Sequence, residues 1–124
     1  MTNTNTNTIK NLFGDGMKNR VAVYVPGTAG PNTENRELAE QITANVAGEL
    51  SALFGGATIS LAAGAWMSDA LGLIREQIQI VYSYCTAEQL ERNAAEIRRI
   101  AEQVKNDMQQ EAVSVEINNA LYFV

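Results

Sequence analysis

Histidine is absent from this 124-residue chain, and cysteine occurs once. Without imidazole there is no general base of that kind, and the usual zinc ligand sets cannot be assembled. A single thiol excludes an intramolecular disulfide. Prolines number only two, so long stretches can form regular structure without interruption. No apolar run approaches the roughly 18–20 residues of a membrane span, which argues against a membrane partner. No leader pattern opens the sequence, so the expected compartment is the cytoplasm of the producing cell. Clustered basic residues are also scarce. The net charge is −5, which disfavours nucleic acid, because phosphate backbones are held by grouped Lys and Arg. Arg92, Arg98, Arg99 and Lys105 do share one stretch, but Glu88, Glu91, Glu96 and Glu102 interleave with them. That pattern is a solvated helix face.

What is present suits one globular domain: 46% hydrophobic residues against 19% charged. The Thr-Asn alternation that opens residues 1–19 has no apolar face and reads as a flexible tail, although Ile9, Leu12 and Phe13 offer a means of pinning it. Residues 20–124 form the expected domain. "RVAVYVP" is a strand with Val21, Val23 and Val25 on one face and Ala22 and Tyr24 on the other. After the loop "GTAGPNT", Thr33 or Asn35 can cap a helix. Leu38, Ile42, Val46, Leu50 and Leu53 recur at helical spacing, and Gly55-Gly56 ends the run. "ATISLAAGAW" and "REQIQIVYSY" read as two strands of an antiparallel hairpin joined by the turn "MSDALG". Thr86 with Gln89 forms a capping box for a second helix striped by Leu90, Ala94, Ile97, Ala101, Val104 and Met108. "AVSVEI" is a fourth strand, and Asn118-Asn119 can turn it into an extra C-terminal one.

The predicted order is therefore β-α-β-β-α-β, an α+β fold of the ferredoxin-like, split βαβ type. Its antiparallel sheet carries two helices on one face. Each helix has a single apolar stripe, so the other sheet face is either wet or covered by a second chain. The third strand is ambiguous. Glu76, Ile78, Ile80, Tyr82 and Tyr84 share one side, and Gln77, Gln79, Val81, Ser83 and Cys85 share the other. Placing Ile78 and Ile80 under the helices would put Glu76 at the core-side rim.

Among chemistry-bearing residues, the loop "PGTAGPN" lacks the Lys of a phosphate loop and reads as a connection. Cys85 has no His partner and reads as a small packed hydrophobe. No carboxylates stand at metal-ligand spacing, and neither metal nor cofactor is expected. Trp66, Arg75 and Glu76 are the stronger candidates, because the hairpin brings them to one end of the sheet. One reading is a rim aromatic beside a solvated ion pair. The other is a site for a cationic ligand, held by an aromatic face and a carboxylate, with Tyr24, Tyr82 and Tyr84 extending its walls.

The segments "LFGGAT", "GAW", "GLIREQIQIVYSYC" and "QEAVSVEINNALYFV" resemble small proteins of phages and other bacterial mobile elements. More distantly they are similar to the phage S-adenosylmethionine (SAM) lyases, including relatives acting on a SAM–AMP conjugate. The resemblance implies a homotrimer with active sites between subunits and a counter-defence role for the mobile element. It places Trp66 at the family's ligand-side aromatic position and Glu76 at its essential acid. In the reaction it implies, the substrate's own carboxylate displaces methylthioadenosine and leaves homoserine lactone. Such chemistry requires no histidine, protein nucleophile or metal, in keeping with the composition. Two other readings remain. The first is a non-catalytic oligomeric module that sequesters a small nucleoside or sulfonium ligand or binds a protein. The second, a nucleic-acid binder, lacks the basic-aromatic signature on the sheet.

Overall fold

The computed structural model describes residues 4–30 and 33–124. Valine enrichment makes β1 (Asn19–Val25) a strand, and Pro26 ends it. The connection to the first long helix contains two short strands, β2 (Thr28–Ala29) and β3 (Thr33–Glu34), which pair with each other. Pro31 and Asn32 of the "PGTAGPN" loop lie outside the described residues. Asn35 caps α2 (Arg36–Phe54) by accepting from the Leu38 amide at 3.1 Å, and Gly55 closes it in the left-handed conformation at φ 94°.

The hairpin strands β4 (Thr58–Ser68) and β5 (Gly72–Cys85) are longer than the sequence reading allowed. Trp66 does not close its strand, and Arg75 does not open the next. The turn shrinks to the residues between Ser68 and Gly72, where the Ser68 hydroxyl accepts from the Leu71 amide at 3.2 Å. Gly72 takes φ +77°, which explains why the strand can begin at that residue. The second helical stretch is also divided. Thr86 and Gln89 form the expected capping box for α3 (Ala87–Arg92), and Asn93 interrupts before α4 (Ala94–Asp107). The chain ends with β6 (Ser114–Ile117) and β7 (Ala120–Phe123), joined through Asn118 at φ 55°.

Apart from the β2-β3 pair, the other five strands form one antiparallel sheet in the order β4-β5-β1-β6-β7. β1 and β4 are thus parallel to each other with β5 between them, the split βαβ relation, and β7 is the extra strand. Residues facing each other across an antiparallel ladder share a face, so the register settles the ambiguity of the third strand. Val23 faces Val81 and Val21 faces Ser83. Val21, Val23, Val25, Val81 and Cys85 consequently meet Ile42, Val46, Leu50, Ile97, Ile100 and Val104 of α2 and α4 in one core. The buried Thr43 hydroxyl donates to the Ala39 carbonyl at 2.7 Å, so the helix keeps no orphan polar group there. Glu76, Ile78, Ile80, Tyr82 and Tyr84 therefore lie on the open face, not at the core-side rim. Cys85 is fully buried, and burial raises its thiol pKa above the ordinary value, as suits a packed hydrophobe.

The N-terminal segment holds a helix that the sequence reading did not foresee. Residues 1–3 are outside the described residues, and α1 spans Thr4–Phe13 within the stretch read as a tail. Ile9, Leu12 and Phe13 are 56%, 72% and 78% exposed, so they do not pin the helix to the domain.

Leu50 is wholly buried between helix and sheet. Leu50→Ala should lower unfolding free energy by about 2–5 kcal/mol, through lost transfer energy and the cavity left behind. Urea denaturation followed by circular dichroism measures the change.

Candidate functional site

β5 is twice as long as β1. Only Gln79–Cys85 pair with β1, so the first half of β5 continues past the end of β1 with β4 as a two-stranded arm. The chain leaving β1 folds against the base of that arm. Gly27 makes this possible, since a Cβ there would collide with the backbone carbonyl of Gln77. One residue further on, the Thr28 hydroxyl donates to Glu76 Oε2 at 3.3 Å. Gln110 braces the same loop from the far side, its amide donating to the carbonyls of Thr28 at 2.8 Å, Met108 at 3.0 Å and Gly30 at 3.2 Å. The Gly30 amide returns a bond to the Met108 carbonyl at 2.8 Å.

Glu76 stands where three hollows meet. The first, about 380 Å³, lies between the start of α2 and the arm and is lined by Arg36, Ala39, Glu34, Arg75, Gln77 and Thr28 as well as Glu76. The second, about 520 Å³, runs from Glu76 past Trp66 and Ile74 to Gln109–Ala112. The third, about 280 Å³, opens on the free sheet face between Glu76, Trp66, Gly64, Ile78 and Tyr24. Gly64 faces Glu76 across the ladder, which leaves space above the carboxylate that a larger side chain would fill. Trp66, two residues further on, is on the same face and half exposed. The indole and the carboxylate thus border the same two hollows.

The other predicted residues divide. Arg75 pairs with Ala65, so it leaves the strand on the helix side, opposite in direction to Glu76, yet it lines both of the larger hollows. Tyr24 borders the open-face hollow, and its hydroxyl donates to Glu116 Oε1 at 3.0 Å. Burial, then this bond and the Glu116 charge, raise its pKa above the usual 10.0. Tyr82 and Tyr84 are not brought to Glu76. They face Ala22 and Arg20 at the other end of the sheet, edge to face with ring centres 6.1 Å apart. The Arg20 guanidinium lies 4.3 Å from the Tyr82 ring centre. Thr28, Arg36, Glu34 and Gln110 were missed by sequence reasoning. Thr28 is separated from Glu76 by 48 residues and Gln110 from Thr28 by 82, and no local motif marks such a meeting. The glycine before Thr28, in a loop entering a helix, was the one available signal.

The arrangement offers a carboxylate held by a single hydroxyl, an indole face beside it, and the Arg36 and Arg75 guanidiniums with the Glu34 carboxylate on the adjoining hollow. A carboxylate beside an aromatic face can attract a cationic group. Among the described residues no group of three Asp, Glu or Cys side chains is placed to hold a metal ion.

No protein-family model matches the chain, and no curated protein does. Among solved structures it is similar to a phage SAM lyase in complex with S-methyl-5'-thioadenosine. The TM-score is 0.64 at 15% identity, over 89% of this chain and 91% of the lyase. A phage SAM lyase in its apo state gives 0.63 at 16% identity, over 89% and 90%. At such identity the likeness shows a shared fold, along nearly the whole of both chains.

Replacing Gly27 by Ala should push the loop off the Gln77 carbonyl and cost about 1–3 kcal/mol, as overpacked positions do. The same change should release Thr28 from Glu76. Denaturant midpoints for G27A and T28A separate the two effects, because T28A removes the hydrogen bond without the collision.

Proposed function

We propose that the protein is a lyase of SAM or of its AMP conjugate, serving a phage or mobile element against a host defence. One observation supports this reading above the others: Glu76 and Trp66 border common hollows on a fold shared with a phage SAM lyase. Glu76 is the assigned catalytic residue, with Trp66, Arg75 and Tyr24 at the ligand. Tyr82 and Tyr84 are too far along the sheet to join a site built by one protomer.

In the proposed reaction a carboxylate oxygen of the substrate attacks its γ-carbon while the C–S bond breaks. The bonding pair stays on sulfur, the sulfonium becomes a neutral thioether, and the lactone ring closes. No proton moves, so no acid or base is demanded of the protein. Two opposite charges vanish along the way, and a poorly hydrated pocket therefore favours the transition state over the separated charges of the reactant. The α-ammonium keeps its charge throughout. Glu76 holds that group, so its attraction is undiminished at the transition state, and Trp66 covers the sulfonium and excludes water.

The hollows beside Trp66 are open in one protomer, which fits a site completed by another copy. The arm is suited to that role. Leu61 is 79% exposed and Met67 72%, both on the helix-side face of edge strand β4. A homotrimer packed through this arm would bury them.

Incubation of the pure protein with each substrate should release methylthioadenosine or its nucleotide form, detected by chromatography. Glu76→Gln should lower kcat/KM by at least about a hundredfold, and Trp66→Ala should act mainly on KM. Substrate recovered intact, with binding retained, would instead make the protein a sequestering module. Light scattering should give a trimer for the native chain and a monomer for L61K/M67K. Loss of turnover in that monomer would place the active site between subunits.

A further inference from the structure

Four charged side chains line the hollow behind Glu76: Glu34, Glu76, Arg36 and Arg75. Two acids and two guanidiniums in one small space would ordinarily pair with each other. Here none of the four is in an ion pair among the described residues, whereas Arg92, Arg98 and Arg99 of the helix surface all are. Among the described residues, the one side-chain hydrogen bond of this set is the one Glu76 accepts from Thr28. Their charges are left for something else. Glu76 lies toward the indole, and Arg75, one residue earlier in β5, leaves the strand in the opposite direction toward α2. Arg36 is the first residue of α2 and meets the hollow from the other wall. Guanidiniums therefore approach from two elements on the helix side, with the carboxylate and indole on the open side.

We propose that this helix-side hollow is an oxyanion subsite, in which Arg36 and Arg75 grip a phosphoryl group of the ligand. The inference rests on the reading of the neighbouring pocket as a nucleoside-sulfonium site, and it adds that the natural ligand carries both signs of charge at separate places. Two guanidiniums match a phosphoryl group better than a single carboxylate, since each supplies forked donors to a different pair of oxygens. Glu34 and Glu76 on the same hollow oppose a bare anion, so free phosphate should bind weakly. A phosphorylated nucleoside, anchored also by its apolar body, should bind well.

Calorimetric titration of the native protein with 5'-AMP and with adenosine tests this without reliance on turnover. The expected result is an advantage for AMP of at least about tenfold in Kd at low ionic strength, shrinking as salt is added. In R36Q/R75Q, both positions being exposed and harmless to the core, AMP and adenosine should bind equally within about twofold. Equal affinities in the native protein would overturn the proposal, as would an AMP advantage that survives the double substitution. A phosphate preference in a protein that releases no methylthioadenosine defeats the lyase reading alone. Turnover without that preference defeats the subsite alone.

Discussion

The register between β1 and β5 is the constraint from which the site follows. Val23 opposite Val81 turns the valines of both strands toward α2 and α4. A slip of one residue would carry the apolar set to the other face, at a cost summed over every buried side chain. Because the valines must be inside, Glu76 must be outside, five residues back along the same strand. Its position on the open face is thus decided by the core, not by any property of the carboxylate.

Unequal strand lengths do the rest. β1 stops at Pro26 while β5 extends well beyond it, and an arm of two strands is left with an unpaired edge where β1 would have continued. Backbone groups along such an edge need partners. The loop after β1 packs onto it, Gly27 permitting contact with the Gln77 carbonyl and Thr28 binding Glu76. Gln110 ties the loop to the end of α4 through three carbonyls. The site is therefore built where a strand ends early, from the loop that fills the gap. Of its side chains, Glu76 is held by the Thr28 hydroxyl, and the loop that carries Thr28 is held by Gln110.

Much of this architecture is legible in the sequence because it is local. Valine alternation marks β1, the Leu and Ile spacing marks α2, Gly55 ends that helix, and Thr86 with Gln89 opens the next. The pair Trp66 and Glu76 was also legible as a meeting, since a hairpin joins residues on either side of its turn whatever the rest of the fold does. The limits of the hairpin strands were not. Gly72 reads as part of a turn, yet with φ +77° it can start the strand, which moves both residues inward from the strand ends. The N-terminal Thr-Asn tract carries no apolar face to announce its helix.

By itself the sequence determined the order of the five sheet strands and of the helical stretches between them, and the absence of imidazole and paired thiols that narrows the chemistry. Those features depend on periodicity, caps and residue identity, which act over a few neighbours. Only the tertiary structure decided which face of β5 carries Glu76, since both of its alternating sets hold apolar residues and only the pairing with β1 tells them apart. The same holds for Tyr82 and Tyr84, which share a strand face with Glu76 but are drawn into a cluster with Arg20. It holds too for Thr28, Arg36 and Gln110, brought to the arm by contacts across the fold that no local pattern encodes.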